Sequence, residues 1–259
     1  YLATAGVLGA TGPRGAAPEL SAVQIADVAG GSYPAALAIL AALYQRQHTG
    51  RGQMLDISMT DGALSLMMFH LAGHFADGQA LVPGEMPLSG GLVNYGTYQT
   101  ADGRSMALGA LEPKFWLTFL SRVGRPELAG LIQARGEALE TAREEVARLF
   151  ASRTRDEWTA LLQEIDACCE PVLDADEVAH HPQHLVRGMI QEVTAPGRES
   201  LRTVMTPLPF GRPQAVSGHP QGSEPLPAAP LLGEHGPGVL AACGFLSEEI
   251  DRLRAEGGL

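Results

Sequence analysis

The chain has 259 residues and a mass of 27.3 kDa, enough for one large domain or two small ones. Apolar residues make up 45% of the chain and charged residues 18%, a balance that excludes a wholly disordered protein. The net charge of −11 would on average repel a phosphate backbone, which argues against a nucleic-acid partner.

The first third of the chain is predicted to form a helix, a strand and a second helix. Residues from Pro34 to Gln47 are apolar almost all the way round, which predicts a helix that is buried on most faces and ends at Gly50. Alternating apolar and polar residues predict a strand over residues 53–59, and Thr60 is a suitable N-cap for the next helix. Short links between such elements are typical of α/β proteins.

Glycine and proline are concentrated in residues 78–91, which indicates a linker or a functional loop and a domain boundary. Beyond it, Asp102 and Gly103 separate two alternating runs at 95–100 and 104–109, a pattern typical of a β-hairpin. Three helices are predicted to follow, from Pro113 to Gly124, over 138–152, and over 155–165 after a capping box of Thr154 and Glu157.

The last part of the chain is predicted to contain a second hairpin, a surface connection and two short helices. The strands are expected at 190–194 and 201–205, the extended connection at 207–230, and the helices at 235–242 and 249–255.

Cysteine, histidine and apolar patterns argue against several kinds of site. Three cysteines, two of them the neighbours Cys168 and Cys169, are an odd count that indicates a reducing cytoplasm. Acidic neighbours would raise the pKa of this pair, which favours packing roles.

His70 and His74 share a helix face without an evident third ligand, so no metal is predicted. The most apolar stretch, 35–44, is about half as long as a bilayer-spanning helix, so no membrane segment is predicted.

Two acidic residues stand out by their context. Asp27 lies in an otherwise uncharged segment just before the apolar helix, where an unpaired carboxylate would be costly if buried. Glu112 follows a predicted strand and starts a predicted helix, whose dipole would stabilise its charge. For both residues, helix capping is an equally good interpretation. The residues alone leave catalysis and capping open.

Six segments in the same order resemble the family III CoA-transferases, most closely the α-methylacyl-CoA racemase branch. They are Gln24 to Gly31, Leu43 to Asp61, Asn94 to Arg104 continuing through Gly109 to Trp116, Gly124 to Leu128, Pro171 to Leu173, and Leu232 to His235. The resemblance extends over essentially the whole chain. The family's N-terminal part has no counterpart here, and the first residue is Tyr1, so a missing N-terminal part is expected.

The resemblance implies roles for individual residues. Asp27 would be a base in racemases or a nucleophile in transferases. A histidine assisted by Glu112 would be the second acid/base group. That histidine belongs to an HDxNY-like segment whose last residue matches Tyr1, so it is expected upstream of this chain. The resemblance also assigns Tyr1, Gly90, Gly91 and Tyr95 to substrate binding. Paired glycines further favour a mobile loop over the acyl site, with a plain linker as the alternative.

The resemblance implies an α/β fold with two domains. A Rossmann-like large domain is built from both chain ends, and a small helix-rich α+β domain is built from the middle. Two chains are expected to form an interlocked homodimer. The corresponding boundaries are 1–90 for the first part of the large domain, 91–188 for the small domain, and 189–259 for the return of the chain. The expected activity is racemisation of 2-methylacyl-CoA thioesters. CoA transfer between carboxylic acids through an acyl-aspartyl intermediate and a truncated or inactive homologue are the alternatives. No cofactor is expected, because coenzyme A enters as part of the substrate.

Overall fold

A computed structural model of the protein describes residues 1–78, 80–194, 199–208 and 229–258. The chain divides into two compact units, Tyr1–Val172 and Leu173–Leu259, which are described separately below. Helices and antiparallel strands occur in both units, so the fold is of mixed α and β type. The predicted domain boundaries remain predictions.

The first unit begins with helices. After a 3-10 turn at Leu8–Ala10, a π-helix at Ile25–Ser32 continues directly into α1 at Tyr33–Thr49. Gly50 ends α1 in the left-handed conformation at φ 68°, as its sequence predicts. Helices α2, Met59–Leu66, and α3, Met68–Asp77, follow. The sequence predicted a single helix after Thr60, whereas the structure has a break at Met67. The N-cap is Ser58, whose hydroxyl accepts a hydrogen bond from the Asp61 amide.

The predicted burial of α1 is wrong, although its position is correct. No residue of α1 is buried, and the side chains of Leu37 and Leu40 are 68% and 64% exposed. In the described part of the chain, no element covers this apolar face. The helical segment Ile25–Thr49 is also long and apolar enough to cross a membrane by length and composition alone, a test that core helices of soluble proteins can pass.

The strand predicted over residues 53–59 is absent. Residues 51–58 have no assigned secondary structure, and the side chain of Met54 is 94% exposed. A strand needs the backbone donors and acceptors of a neighbouring strand, and no such partner lies beside this segment among the described residues. Alternation of apolar and polar side chains therefore did not suffice to predict a strand.

A three-stranded antiparallel sheet forms the centre of the first unit. The predicted hairpin is confirmed as β1, Tyr95–Gln99, and β2, Ser105–Gly109, with Tyr95 opposite Gly109. A third strand, β3 at Cys169–Pro171, pairs with the other edge of β2. It was not predicted, because three residues are too few to show an alternating pattern.

Three helices pack on this sheet and enclose an aromatic core. They are α4 at Pro113–Val123, α5 at Glu137–Phe150 and α6 at Arg155–Leu162, and the capping box before α6 is formed as predicted. A 3-10 segment, Pro126–Gln133, connects α4 to α5. Phe150 stacks on Tyr98 and Phe119 with ring centroids 5.1 and 5.5 Å apart. Among the described residues, this core is formed by side chains from Val93 to Cys169.

The second unit contains short elements. Helices α7, Ala175–His180, and α8, Pro182–Val186, precede the predicted second hairpin, which is confirmed as β4, Ile190–Val193, and β5, Leu201–Val204. The closing helices are confirmed as α9, Gly236–Ala242, and α10, Ser247–Ala255. Most of the predicted connection at 207–230 lies outside the described residues.

Candidate functional site

Asp27 lies in the first turn of the π-helix and is exposed. Its backbone carbonyl accepts a hydrogen bond of 2.9 Å from the Ser32 hydroxyl. Its carboxylate has no hydrogen bond or ion pair with any residue that the structure describes, and the N-cap position belongs to Gln24. The capping interpretation of Asp27 is therefore wrong, and both carboxylate oxygens are open to a ligand.

The π-helix that presents Asp27 is held against α2 by a contact between glycine backbones. A Cβ atom added to Gly62 of α2 would lie 1.9 Å from the carbonyl oxygen of Gly30. A Cβ atom added to Gly30 would lie 2.9 Å from the backbone of Met59 and of Ala63. Only glycine allows this approach. The sequence contained no signal for the π-helix or for the pairing of Gly30 with Gly62.

Glu112 occupies the N-cap position of α4, immediately after the turn that follows β2. Its backbone carbonyl accepts from the amide of Phe115 at 3.0 Å, but its side chain forms no capping hydrogen bond. The carboxylate is exposed and forms no hydrogen bond or ion pair with a residue that the structure describes. Glu112 thus starts the helix through its backbone, and its side chain remains available for another role.

A cleft of about 770 Å³ brings together two of the predicted substrate-binding residues. Gly90 and Tyr95 both line it, together with Arg14, Tyr98 and Arg143. Tyr1, Gly91, Asp27 and Glu112 are not among its described lining residues. The structure therefore groups Gly90 with Tyr95, and the roles of all the predicted site residues remain predictions.

Ion pairs fix the charged wall of this cleft. Arg14 contacts Glu85 and Glu140, each at 2.8 Å. Arg143 contacts Glu140 at 3.1 Å and donates to the Gly84 carbonyl at 3.3 Å. Each arginine thus already faces a carboxylate, so this wall is a poor site for an added anion. Sequence reasoning missed Arg14 and Arg143, because their contacts with Glu140, 126 positions from Arg14, and with Gly84, 59 positions from Arg143, leave no local pattern.

The Gly90–Gly91 pair packs against its own loop. The Gly91 amide donates to the Met86 carbonyl at 2.7 Å, and a Cβ atom on Gly91 would lie 2.2 Å from the Glu85 carbonyl oxygen. Gly90 has a φ of 108°, a conformation that favours glycine. The close backbone approach that paired glycines allow is therefore observed here, and its partner is the preceding part of the same loop. The mobile-loop and linker interpretations remain predictions.

Tyr1 is 67% exposed, and its carbonyl accepts from the Ala5 amide at 2.9 Å. The predicted contact of Tyr1 with substrate stays a prediction.

In the described ranges, no cluster of three or more His, Cys, Asp or Glu side chains is arranged to hold a metal ion.

The three cysteines lie in different environments. Burial, followed by the negative charges of Asp166 and Glu112, raises the pKa of the Cys168 thiol. Burial raises the pKa of Cys169 to about 12. Cys243 is exposed. The pKa of both thiols is raised, as predicted, but burial contributes more than the acidic neighbours on which the prediction rested.

We expect iodoacetamide at about pH 8 to modify Cys243 much faster than Cys169, because the thiolate is the reactive form and Cys169 is both buried and protonated. Mass spectrometry of peptides from the folded protein, taken over time, measures the two rates. Labelling in denaturant is the control and should make the rates similar. Equal rates in the folded protein would contradict the packing role of Cys169.

Comparisons with known proteins agree with this description of the chain. The model of CoA-transferase family III matches residues 1–236. Alpha-methylacyl-CoA racemase of Homo sapiens is 32% identical over 256 residues, which cover 99% of this chain and 64% of the racemase. Formyl-CoA:oxalate CoA-transferase of Streptomyces avermitilis is 28% identical over 283 residues, which cover 98% of this chain and 65% of the transferase. The chain thus spans less than two thirds of the length of these relatives.

A solved structure shows the same fold. The CAIB/BAIF family protein from Brucella suis superimposes with a TM-score of 0.69 at 23% sequence identity, covering 93% of this chain and 61% of that protein. The family is shown by its model, which matches most of the chain. The chain therefore belongs to CoA-transferase family III.

Proposed function

We propose that the protein is an acyl-CoA racemase or epimerase that inverts the α-carbon of 2-methylacyl-CoA thioesters. The observation that carries the proposal is the exposed Asp27 carboxylate, which has no partner among the described residues and is presented by a glycine-packed π-helix. A carboxylate left unpaired in this way can act as a base. The 32% identity to a relative named alpha-methylacyl-CoA racemase supports the choice of reaction.

In this proposal the Asp27 carboxylate removes the proton α to the thioester carbonyl. The electron pair of the broken C–H bond moves into an enolate, and a proton returns to the opposite face of the same carbon. The return requires a second acid/base group and an environment that stabilises the enolate. We assign the second group to the histidine that the family resemblance places upstream of Tyr1, with Glu112 orienting it and stabilising its protonated form.

The proposed assembly is an interlocked homodimer. Each chain would contribute to a Rossmann-like large domain and a small domain, and Asp27 and Glu112 of one site would come from different protomers. The exposed apolar face of α1 supports an assembly in which further protein covers it. Coenzyme A enters as part of the substrate, no cofactor or metal is required, and the proposed location is the cytoplasm.

A CoA-transferase is the second candidate. An exposed carboxylate is equally suited to attack a thioester, with formation of an acyl-aspartyl anhydride at Asp27 and departure of the CoA thiolate. The relative named formyl-CoA:oxalate CoA-transferase, at 28% identity, favours this reaction. An inactive homologue that keeps only folding and dimerisation surfaces is the third alternative.

One experiment separates the three candidates. The intact protein is incubated in deuterated water with a single epimer of a 2-methylacyl-CoA and an added carboxylic acid. A racemase yields α-deuterated product of both configurations, and a transferase yields the CoA ester of the added acid. An inactive homologue yields neither. Transfer without α-deuterium would overturn the racemase proposal.

Replacing Glu112 by glutamine should slow α-deuterium exchange by roughly 10- to 1000-fold, the scale of assistance to a general acid or base. The amide keeps the shape of the side chain and loses the charge that stabilises a protonated histidine. The fold should remain intact, because the Glu112 side chain forms no capping hydrogen bond.

Glu137→Gln is the matched control for this variant, since Glu137 is also an exposed glutamate at the start of a helix. It should exchange α-protons at the wild-type rate. If Glu112→Gln matched Glu137→Gln in rate, Glu112 would keep only its role at the start of α4.

A further inference from the structure

Asn94 is a buried polar residue that the proposed reaction does not yet use. It precedes β1, and its side chain is fully buried. Its amide nitrogen donates to the carbonyl oxygen of Ala110 at 2.6 Å and lies 3.4 Å from that of Leu111. Its amide oxygen is buried and has no hydrogen-bond partner in the described structure.

A buried amide oxygen without a partner costs free energy, so the presence of asparagine at this position needs an explanation. An apolar side chain of similar size would avoid that cost. Unlike an apolar side chain, the amide supplies an N–H donor. This donor forms hydrogen bonds with the backbone carbonyls of the two residues directly before Glu112.

The turn that carries Glu112 is held from two sides. The last residue pair of the hairpin joins Tyr95 to Gly109, and the Gly109 amide also donates to the Cys168 carbonyl at 2.7 Å. Beyond Gly109 the chain leaves the sheet. Asn94 then bonds Ala110, which is fully buried, immediately before α4 begins.

The residue before Asn94 is itself fixed. The hydroxyl of Tyr98 donates to the Val93 carbonyl at 2.5 Å, and the Tyr98 ring stacks on Phe150 in the aromatic core. Burial raises the pKa of this hydroxyl to about 12, so it remains a donor at neutral pH. The position of Asn94 is thus tied to the aromatic core of the unit.

We propose that Asn94 is a positioning residue for Glu112, which it orders by holding the Ala110 and Leu111 carbonyls ahead of α4. This inference rests on the proposed function, in which the Glu112 carboxylate supports an acid/base group. Asn94 is not a described lining residue of the cleft, so it acts through Glu112 and not on the substrate.

The first test uses Asn94→Leu, which keeps the side-chain size, removes the donor and also removes the unpaired oxygen. In the intact protein we expect kcat for α-deuterium exchange to fall by about 10- to 100-fold with KM within about twofold, since a small misplacement of a catalytic group has effects of this size. Thermal stability should change little, because the cost of leaving the buried Ala110 carbonyl without its donor is offset by removal of the unpaired amide oxygen. If Asn94 had only a structural role, its substitution would lower activity only to the extent that it lowered thermal stability.

Val146→Ala is the control for lost core packing. Val146 is fully buried in the same core and lies outside the proposed machinery. It should lower thermal stability and leave kcat unchanged. If Asn94→Leu kept the wild-type kcat, the proposal would be overturned.

A double-mutant comparison tests whether Asn94 affects the exchange rate through Glu112. If Asn94 acts through Glu112, adding Asn94→Leu to Glu112→Gln should slow exchange no further, because the effects of coupled residues do not add. A loss equal to the product of the two single losses would overturn the proposal. Asn94→Ala gives the same two tests if the leucine variant fails to fold.

Amide hydrogen exchange separates this inference from the proposed function. If the wild-type protein exchanged no α-protons, the proposed function would fail, and the local claim could still be measured at the amides of Leu111, Phe115 and Trp116. Faster exchange at these amides in Asn94→Leu supports the ordering role. Unchanged protection there overturns it, whatever the reaction is.

Discussion

Asp27→Ala should abolish turnover, with a loss of at least about 10²- to 10⁴-fold in α-deuterium exchange, because a positioned base contributes on this scale. Asp27→Asn should be nearly as damaging, since an amide can neither accept the proton nor attack a thioester. The carboxylate forms no capping bond, so neither variant should unfold the π-helix. Exchange rates and circular dichroism spectra of both variants test these expectations.

Asp61→Asn provides the comparison. Asp61 is likewise an exposed aspartate in the first turn of a helix, α2, and it is one turn beyond the N-cap Ser58. We expect this variant to keep the wild-type rate. An Asp27→Ala protein with normal turnover would remove Asp27 from both the racemase and the transferase mechanism.

Among alanine substitutions of the glycines that the structure describes, Gly62→Ala should be the most damaging. Its Cβ atom would lie 1.9 Å from the carbonyl oxygen of Gly30, and backbone on both sides leaves no flexible side chain to give way. Overpacking commonly costs about 1–3 kcal/mol, and we expect the upper end of that range or more. The π-helix must shift away from α2, which moves Asp27 and removes activity.

Gly73→Ala is the matched control, because it makes the same change in the neighbouring helix α3 where a Cβ atom meets nothing within 4 Å. It should stabilise the protein by about 0.5–1 kcal/mol, the usual gain from alanine over glycine inside a helix. Urea unfolding followed by far-ultraviolet circular dichroism measures both changes. If the two variants were equally stable, the backbone contact between Gly30 and Gly62 would not be the constraint that we infer.

Elements with local determinants could be predicted from the sequence. Asp102 and Gly103 specify the hairpin turn, Pro113 begins α4, and Thr154 with Glu157 begins α6, because each of these signals acts within a few residues.

Elements that depend on distant partners could not be predicted. Residues 51–58 alternate like a strand but have no described neighbour to pair with, and α1 is apolar but uncovered. The π-helix has no sequence signature that was recognised, and the close approach of Gly30 and Gly62 depends on tertiary packing. At the site, resemblance alone distinguished Asp27 and Glu112 from capping residues. The structure then removed the side-chain capping interpretation for both.

The confinement of the aromatic core to residues between Val93 and Cys169 bears on the cooperativity of the first unit. The π-helix and α1 to α3 share none of that core. Outside that core, Ala10, Met67 and Met86 form a small cluster, and an ion pair joins Arg14 to Glu140 of α5. Exposed ion pairs contribute little. We therefore expect the helices around Asp27 to open locally while the sheet that precedes Glu112 stays folded, so the two proposed site residues would lie in parts of the first unit that differ in local stability.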